Sequence, residues 1–277
     1  MSTSHIRPPA VAGMFYPGRR DELARTVSML LAQAKPAEPP ADLPAGAATP
    51  KALIVPHAGY IYSGAVAASA YAAIAPLRDR IHRVVLLGPA HRVAIDGLAL
   101  PQADAFATPL GTVEIDRSAF ARLQDLPQVR RSEAAHADEH SLEVHLPFLQ
   151  TVLGEFQLVP LVVGDTTPAE VAEVLEHLWG GAETLIVISS DLSHYLPYAA
   201  AQKLDRSTAA HILAGEQLTE YNQACGALPI DGLLLCARRH GLIPQLLDLR
   251  NSGDTPAGDH DRVVGYGAFA FNQASPS

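Results

Sequence analysis

The sequence predicts an α/β fold, a single domain with a largely parallel central sheet flanked by helices. Three short apolar runs rich in β-branched residues carry this prediction, 52–55, 84–87 and 185–188. Runs of this length, closed by Pro, Gly or Ser, are typical of strands buried on both faces of a parallel sheet. Helix-like segments alternate with them, as in the α/β class. A length of 277 residues suits one large domain, and we expect residues 1–277 to form it.

The other elements follow from the spacing of apolar residues and from helix signals. Thr167 and Pro168 suit the N-cap and the first position of a helix, and Pro147 should kink or restart another helix. Residues 35–50 are rich in Pro and Ala and are expected to form a surface loop. We expect helices at 21–34, 59–75, 117–126, 138–149, 168–179, 199–214 and 231–247, and further strands at 98–100, 112–115, 158–163 and 263–271, the last of these near a sheet edge.

The composition favours a soluble protein of enzyme size. Hydrophobic residues make up 48% of the chain and charged residues 18%, which allows a sizeable core. The formal net charge of −9 and the absence of a Lys/Arg cluster argue against a nucleic-acid partner. No apolar run reaches the length of a membrane span, and residues 1–13 lack the apolar core of a secretory signal. We therefore expect a cytoplasmic protein that binds neither nucleic acid nor a membrane.

The chain has two cysteines, Cys225 and Cys236, whose spacing matches neither a disulfide framework nor a zinc ribbon. Cys236 lies in the apolar stretch 232–237 and is expected to be a buried core residue. Cys225 lies in a loop-like stretch, 222–229. From spacing alone, a small residue in a turn is the favoured interpretation of Cys225.

Each of the three apolar runs leads to a histidine, namely His57, His91 and His194. Open parallel sheets bind ligands outside the carboxyl ends of their strands. Convergent imidazoles at that edge predict a metal site or an acid–base site. For His57 and His91 the alternative is a hydrogen-bonded histidine in a turn. Asp191 precedes His194, and polar groups crowded at the end of an apolar strand lose burial energy unless they have a role.

Residues 138–145 form the densest cluster of ionisable groups in the sequence. On a helix, His140 and His145 would lie about 140° apart, whereas His140 and Glu143 would share a face. The cluster fits a helix N-terminus, where the helix dipole favours acidic residues. It fits equally a second set of residues that orients metal-bound histidines.

Short motifs are distributed along the chain: 12–16, 56–60, 87–91, 138–147, 189–194, and 225–226 with 229–230. Taken in order, they resemble those of the Memo-like family (mediator of cell motility), known in bacteria as AmmeMemoRadiSam system protein B. The resemblance implies a fold like that of the class III extradiol dioxygenases, which are non-haem iron enzymes. It also implies a metal site at His57, His91 and Cys225, with Asp191 and His194 nearby. The resemblance covers nearly the whole chain, from about residue 12 to residue 268.

The resemblance also indicates which metals and which activities to expect. The dioxygenases hold Fe(II) with two histidines and a carboxylate, whereas a thiolate ligand is softer and favours copper or zinc. Dioxygenase activity therefore does not follow from the fold. Fe(II) is the metal we expect first, with copper or zinc as alternatives, and His194, Asp191 and His140 are the expected catalytic residues.

Three functions are consistent with such a site. The first is a redox metalloenzyme with Fe(II) or copper, and the second is a zinc-type hydrolase. The third is a non-catalytic module that binds a peptide or protein in the same pocket. The expected partners are a small-molecule or peptide ligand in the metal pocket. The family name also implies a functional link to AMMECR and radical SAM proteins.

Overall fold

The computed structural model describes residues 5–34, 49–218 and 222–273. The strands found there are β1 (Ile6–Arg7), β2 (Thr49–Val55), β3 (Arg83–Pro89), β4 (Leu98–Leu100), β5 (Ala105–Thr108), β6 (Gly111–Glu114), β7 (Val129–Arg131), β8 (Gln157–Val163), β9 (Thr184–Ser189), β10 (His194–Leu196), β11 (Ile243–Asn251) and β12 (Val263–Gln273). The α-helices are α1 (Arg20–Gln33), α2 (Tyr60–Ile74), α3 (Arg117–Phe120), α4 (Glu133–Ala137), α5 (Leu146–Leu153), α6 (Pro168–Leu178), α7 (Tyr198–Ala214) and α8 (Ala227–Arg239).

A large mixed sheet forms the centre of the fold, which confirms the predicted α/β class. The strand order is β10-β12-β2-β9-β3-β8-β4-β7, and β11 also pairs with β12. The central strands β2, β9, β3 and β8 are parallel. Toward the two sides, β12 is antiparallel to β2, and β4 is antiparallel to β8. A second sheet of three strands has the order β1-β5-β6.

The three apolar runs that predicted the sheet are its innermost strands. Residues 52–55, 84–87 and 185–188 have no exposed side-chain surface. They lie in β2, β3 and β9, which are neighbours in the order β2-β9-β3. Burial on both faces explains why these runs are continuous instead of alternating.

Two predictions near the C-terminus are wrong. The helix expected over 231–247 ends at Arg239, and the strand β11 begins at Ile243. Gly241 between them has φ +62°, a left-handed conformation that stops the helix. The strand expected near a sheet edge, β12, instead pairs with β2, β10 and β11 and is interior. Its small residues suit packing between elements as well as they suit an edge.

The predicted helix over 138–149 is also wrong in its first part. Helix α4 ends at Ala137, and residues 138–142 are not helical. A 3-10 turn covers Glu143–His145, and α5 then begins at Leu146 with Pro147 as its second residue. Pro147 therefore lies where a helix restarts, which was one of the two effects predicted for it.

Helix starts were predicted more successfully than helix lengths. Thr167 caps α6, and Thr167 and Glu170 form a reciprocal capping box. The helix expected over 117–126 is shortened to α3, Arg117–Phe120. The loop expected at 35–50 falls mostly on residues 35–48, which lie outside the described residues, and β2 already includes Thr49 and Pro50.

One helical stretch, Tyr60–Leu77, is long and apolar enough to cross a membrane by length and composition, with a mean hydropathy of 1.2. It consists of α2 and the 3-10 turn that follows. Helix α2 packs against α1, α5 and the strands β2, β11 and β12. Its ten buried residues account for its apolar character as a core helix.

Candidate metal centre

The ends of the parallel strands bring His57 and His91 together. His57 follows β2 and His91 follows β3, and both strands flank β9 in the same direction. Their carboxyl ends therefore lie at one edge of the sheet. The two imidazole rings lie 5.1 Å apart between centroids, edge to face. The sequence prediction that these histidines converge agrees with the structure.

His140 joins these two histidines from the non-helical segment 138–142. Its ring centroid lies 4.7 Å from that of His91 and 5.5 Å from that of His57. One ring nitrogen from each of the three residues lies within 4.8 Å of the others, which makes them a candidate metal-binding group. We call His57, His91 and His140 the histidine cluster.

The segment that carries His140 approaches β3 closely at Gly88. A Cβ atom at Gly88 would lie 2.8 Å from Ser141 Oγ and 2.9 Å from Leu142 Cδ2. Ser141 Oγ donates a hydrogen bond of 2.9 Å to the carbonyl oxygen of Pro89. Glycine at this position therefore allows the segment to pack onto the end of the strand that leads to His91.

The hydrogen bonds of Ser189 determine the tautomer of His57. Ser189 Oγ lies 2.6 Å from His57 Nδ1 and 2.6 Å from the carbonyl oxygen of Ser141. A carbonyl oxygen can only accept, so the single hydroxyl proton of Ser189 is donated to it. His57 Nδ1 must then carry a proton and donate to Ser189. The lone pair of His57 is therefore on Nε2, the form that can bind a metal.

Glu139 determines the tautomer of His91 in the same way, but with a charge. Its Oε1 lies 2.9 Å from His91 Nδ1, and its Oε2 accepts from the backbone N–H of His91 at 2.6 Å. Glu139 is buried, yet hydrogen bonds from His91 and Ser141 outweigh the cost of burial and lower its pKa to about 2. An ionised carboxylate accepts only, so His91 donates from Nδ1 and keeps its lone pair on Nε2.

Burial keeps the other cluster members neutral. The pKa of His57 is well below its usual value because its ring is desolvated and faces other histidines. Burial also lowers the pKa of His140 to about 4. Its Nδ1 lies 3.3 Å from Glu139 Oε1 but is buried without a hydrogen-bond partner among the described residues. An unprotonated imidazole is the form that binds a metal.

Cys225 lies next to the histidine cluster without belonging to it. Its Sγ is 3.4 Å from His57 Nε2 and accepts a 3.3 Å hydrogen bond from the backbone N–H of Asp191. Burial, with the Asp191 carboxylate nearby, raises the pKa of this thiol to about 12. Cys236, in contrast, is a fully buried residue of α8, as predicted.

Asp191 and His194 line the cavity that contains the histidine cluster, which has a volume of about 630 Å³. Asp191 is 5% exposed, and its Oδ1 accepts a 2.8 Å hydrogen bond from the backbone N–H of His57. Burial raises the pKa of Asp191 to about 7. Partial desolvation of the ring lowers the pKa of His194. Asp191 can therefore exchange a proton near neutral pH, whereas desolvation favours the neutral form of the His194 ring.

A buried ion pair attaches the N-terminal segment to the loop that carries His140. Arg7 Nη1 lies 2.7 Å from Glu143 Oε2, and both side chains are almost completely buried. The Arg7 guanidinium also donates to the carbonyl oxygens of His136 and Glu139. Glu143 in turn accepts hydrogen bonds from Tyr16 and from the backbone of residues 10 and 11. The ion pair thus holds both sides of residues 138–142.

The structure thus brings most of the residues expected at the site to one cavity. His57, His91, His140, Asp191 and His194 all line it. Sequence reasoning did not single out Ser189 and Glu139, which orient His57 and His91. The signals were present, because Ser189 directly precedes the Ser190–Asp191 pair, and a second set of orienting residues was one of the two interpretations of the cluster that contains Glu139.

Fold and site together define a class: a mixed α/β protein with a histidine cluster where its parallel strands end. A family profile described as Memo-like protein matches residues 7–270. A MEMO1 family protein of Aquifex aeolicus is 38% identical over 96% of this chain and 99% of that relative. A MEMO1 family protein of Methanopyrus kandleri is 36% identical, again over 96% and 99%. The chain therefore belongs to the Memo-like family, as its motifs predicted.

A solved structure also resembles this fold. The uncharacterized protein JW3007 from Escherichia coli K12 superposes with a TM-score of 0.52 at 12% identity. The superposition covers 79% of this chain and 99% of that one. At this identity, the likeness concerns the fold alone.

Proposed function

We propose that this protein is a metal-dependent enzyme whose metal is bound by His57, His91 and His140. The observation that carries the proposal is the grouping of three ring nitrogens within 4.8 Å at an open cavity. The tautomers that Ser189 and Glu139 impose leave Nε2 of His57 and His91 free to bind a cation. His140 presents a neutral imidazole to the same cavity, because burial lowers its pKa to about 4.

Fe(II) is the metal we propose first, because the sequence motifs resemble a family related to non-haem iron enzymes. Imidazole ligands suit copper and zinc as well. Bound Fe(II) or copper would supply redox chemistry, whereas bound zinc would supply Lewis acidity. In either case the chain itself contributes two groups for proton transfer, Asp191 and His194, on the wall of the same cavity. The cavity has room for a small molecule or for the side chain of a peptide.

Cys225 remains a predicted ligand beside the histidines. Its sulfur lies 3.4 Å from the nitrogen of His57 that we assign to the metal. In the absence of a cation, the raised pKa of Cys225 keeps it a thiol at neutral pH. A bound cation would favour the thiolate, so binding through Cys225 should release a proton.

A zinc-type hydrolase is the second candidate, and the state of Asp191 favours it. A carboxyl whose pKa lies at about 7 is suited to act as a general base at neutral pH. The identity of the metal separates the two candidates. Iron or copper in the isolated protein supports the redox enzyme, and zinc supports the hydrolase.

The test is the metal content of protein purified under anaerobic conditions, measured by inductively coupled plasma mass spectrometry. We expect close to one metal ion per chain in the wild type and little metal in His57→Ala or His140→Ala. His177→Ala, which changes an exposed histidine on α6, is the matched control and should keep its metal. Undiminished metal in a His57→Ala/His91→Ala double variant would overturn the proposal. Retention by Cys225→Ser with loss by His140→Ala would assign the third ligand to His140 alone.

A further inference from the structure

Two arginines on the wall of the metal cavity have no acidic partner within the part of the chain that the structure describes. Arg92 and Arg262 line the same cavity as the histidine cluster. Among the described residues, neither guanidinium forms an ion pair with a carboxylate. Asp259, which also lines the cavity, accepts hydrogen bonds from two backbone N–H groups of its own loop. Asp191, the other acidic residue on this wall, accepts a hydrogen bond from the backbone N–H of His57. In a chain with a net charge of −9, the cavity therefore presents two guanidinium groups that form no ion pair with the described carboxylates.

Tyr195 at this cavity has a strained backbone. Its φ is 59°, and it is the one residue other than glycine with a positive φ in the described part of the chain. A bulky side chain rarely adopts this conformation, and such strain is concentrated at functional sites. The strain coincides with an irregularity in the β10–β12 pairing between His194 and Leu196. Tyr195 as a whole is 62% exposed.

The ring of Tyr195 lies between two other residues of the cavity wall, Arg262 and His194. The guanidinium carbon of Arg262 lies 5.0 Å from the centroid of the Tyr195 ring. The same ring meets that of His194 edge to face, at 5.8 Å. Stacking on an aromatic face restricts a guanidinium group while its N–H donors, in the plane of the group, stay available. Arg262 is thus held beside a cavity residue, with its donors uncommitted to any carboxylate.

We propose that the ligand of this cavity is a small organic anion whose oxyanion group is bound by Arg262 and Arg92 while its other end faces the histidine cluster. This inference rests on the proposed metal site and specifies its class of substrate. The fork of N–H donors in arginine matches carboxylates and phosphates, which it can bind through two parallel hydrogen bonds. Tyr195 acts as a positioning residue, because it contacts Arg262 and holds it in place.

The test compares two probes that differ only in a distant charge. Benzohydroxamate can chelate the metal and is otherwise uncharged, whereas 4-carboxybenzohydroxamate carries a carboxylate at the opposite end. Both are titrated into iron-loaded protein by calorimetry at low salt. We expect the carboxylate to improve the affinity about fivefold, a gain typical of a partly exposed ion pair. High salt should remove most of that gain, because it screens exposed charges. A phosphonate analogue tests for a preference for phosphate-like groups, which requires a gain larger than its additional negative charge explains.

Variants show which residues are responsible for the gain in affinity that the carboxylate gives. In Arg262→Gln the carboxylate should lose most of its gain in affinity, and Arg92 should supply the part that remains. Tyr195→Leu should lose much of the gain through misplacement of Arg262, whereas Tyr195→Phe, which keeps the ring, should retain it. Equal affinities of the two probes in the wild type would overturn the proposal, as would a gain that survives the Arg92→Gln/Arg262→Gln double variant. Failure of both probes to bind would instead contradict an accessible metal in this cavity, and with it the proposed function on which this inference rests.

Discussion

The two halves of the candidate metal centre are held in place by different forces. In the strand-end half, His57 follows a fully buried strand and is oriented by the neutral hydroxyl of Ser189. In the loop half, residues 138–142 have no regular structure and supply His140 and the ionised Glu139, which orients His91 at the end of β3. His57 is 2% exposed, whereas the side chain of His140 is 14% exposed.

The difference shows how one site can combine a rigid part with an adjustable part. Backbone ladders to two neighbouring strands and burial on both faces stabilise the strand-end half. The loop half has no such ladder, so side-chain charges must hold it: Glu139 on one side and the Arg7–Glu143 ion pair on the other. We therefore expect the loop half to be the more sensitive to loss of a charge.

The strongest test of this comparison removes the charge of Arg7. Arg7→Met leaves Glu143 buried without its partner, which typically costs about 3–5 kcal/mol of stability. Urea unfolding of the metal-free protein, followed by circular dichroism, measures this loss. The matched control is Arg250→Met, because the Arg250 side chain is 44% exposed in its pair with Asp248 and such pairs contribute about 1 kcal/mol or less. Losses of equal size in the two variants would contradict the assigned role of the buried pair.

The next test compares the two residues that orient the histidines. Glu139→Gln should weaken metal binding by about 10- to 100-fold, the usual effect of losing a partner of a metal-bound histidine. Ser189→Ala removes one neutral hydrogen bond and should weaken binding by about fivefold. Competition with a chromophoric chelator measures both affinities, and the unfolding curve of each metal-free variant controls for general damage. A larger effect of Ser189→Ala would reverse the proposed order of the two halves.

The smallest expected effect concerns pH and the histidines beneath the loop half. Burial lowers the pKa of His136 to about 4 and that of His145 to about 3, against about 6.5 for an unfolded histidine. Between these values the unfolded chain binds more protons than the folded one. Their stabilising contribution is therefore complete above about pH 6.5 and is lost as the pH falls toward the folded values.

We expect the loss from His136 alone to exceed about 1 kcal/mol between roughly pH 6.5 and pH 5. Urea unfolding of the metal-free protein at a series of pH values measures it. His136→Gln is the informative variant, because its neutral amide can still donate to the carbonyl oxygen of Ala99, which His136 now contacts at 2.8 Å. Its unfolding free energy should change less with pH than that of the wild type. Identical pH dependence in the two proteins would mean that His136 does not titrate as inferred.

The sequence alone determined the centre of the fold and the strand-end half of the site. Strands buried on both faces must be continuously apolar, so the runs before His57 and His91 could be recognised without any partner in view. Parallel strands present their carboxyl ends at one edge, so the convergence of these two histidines followed as well. Local capping chemistry similarly specified the start of α6 at Thr167.

Tertiary structure decided the loop half and the C-terminal part of the sheet. The spacing of residues 138–149 is compatible with a helix, but Glu139 makes its hydrogen bonds with the backbone and ring of His91 instead, and residues 138–142 stay irregular. The spacing of residues 243–247 is likewise compatible with a helix, but in the structure they form backbone hydrogen bonds with β12. Both outcomes depend on partners far away in the chain. Local periodicity carries no information about such partners, because these contacts exist only once the strands have assembled.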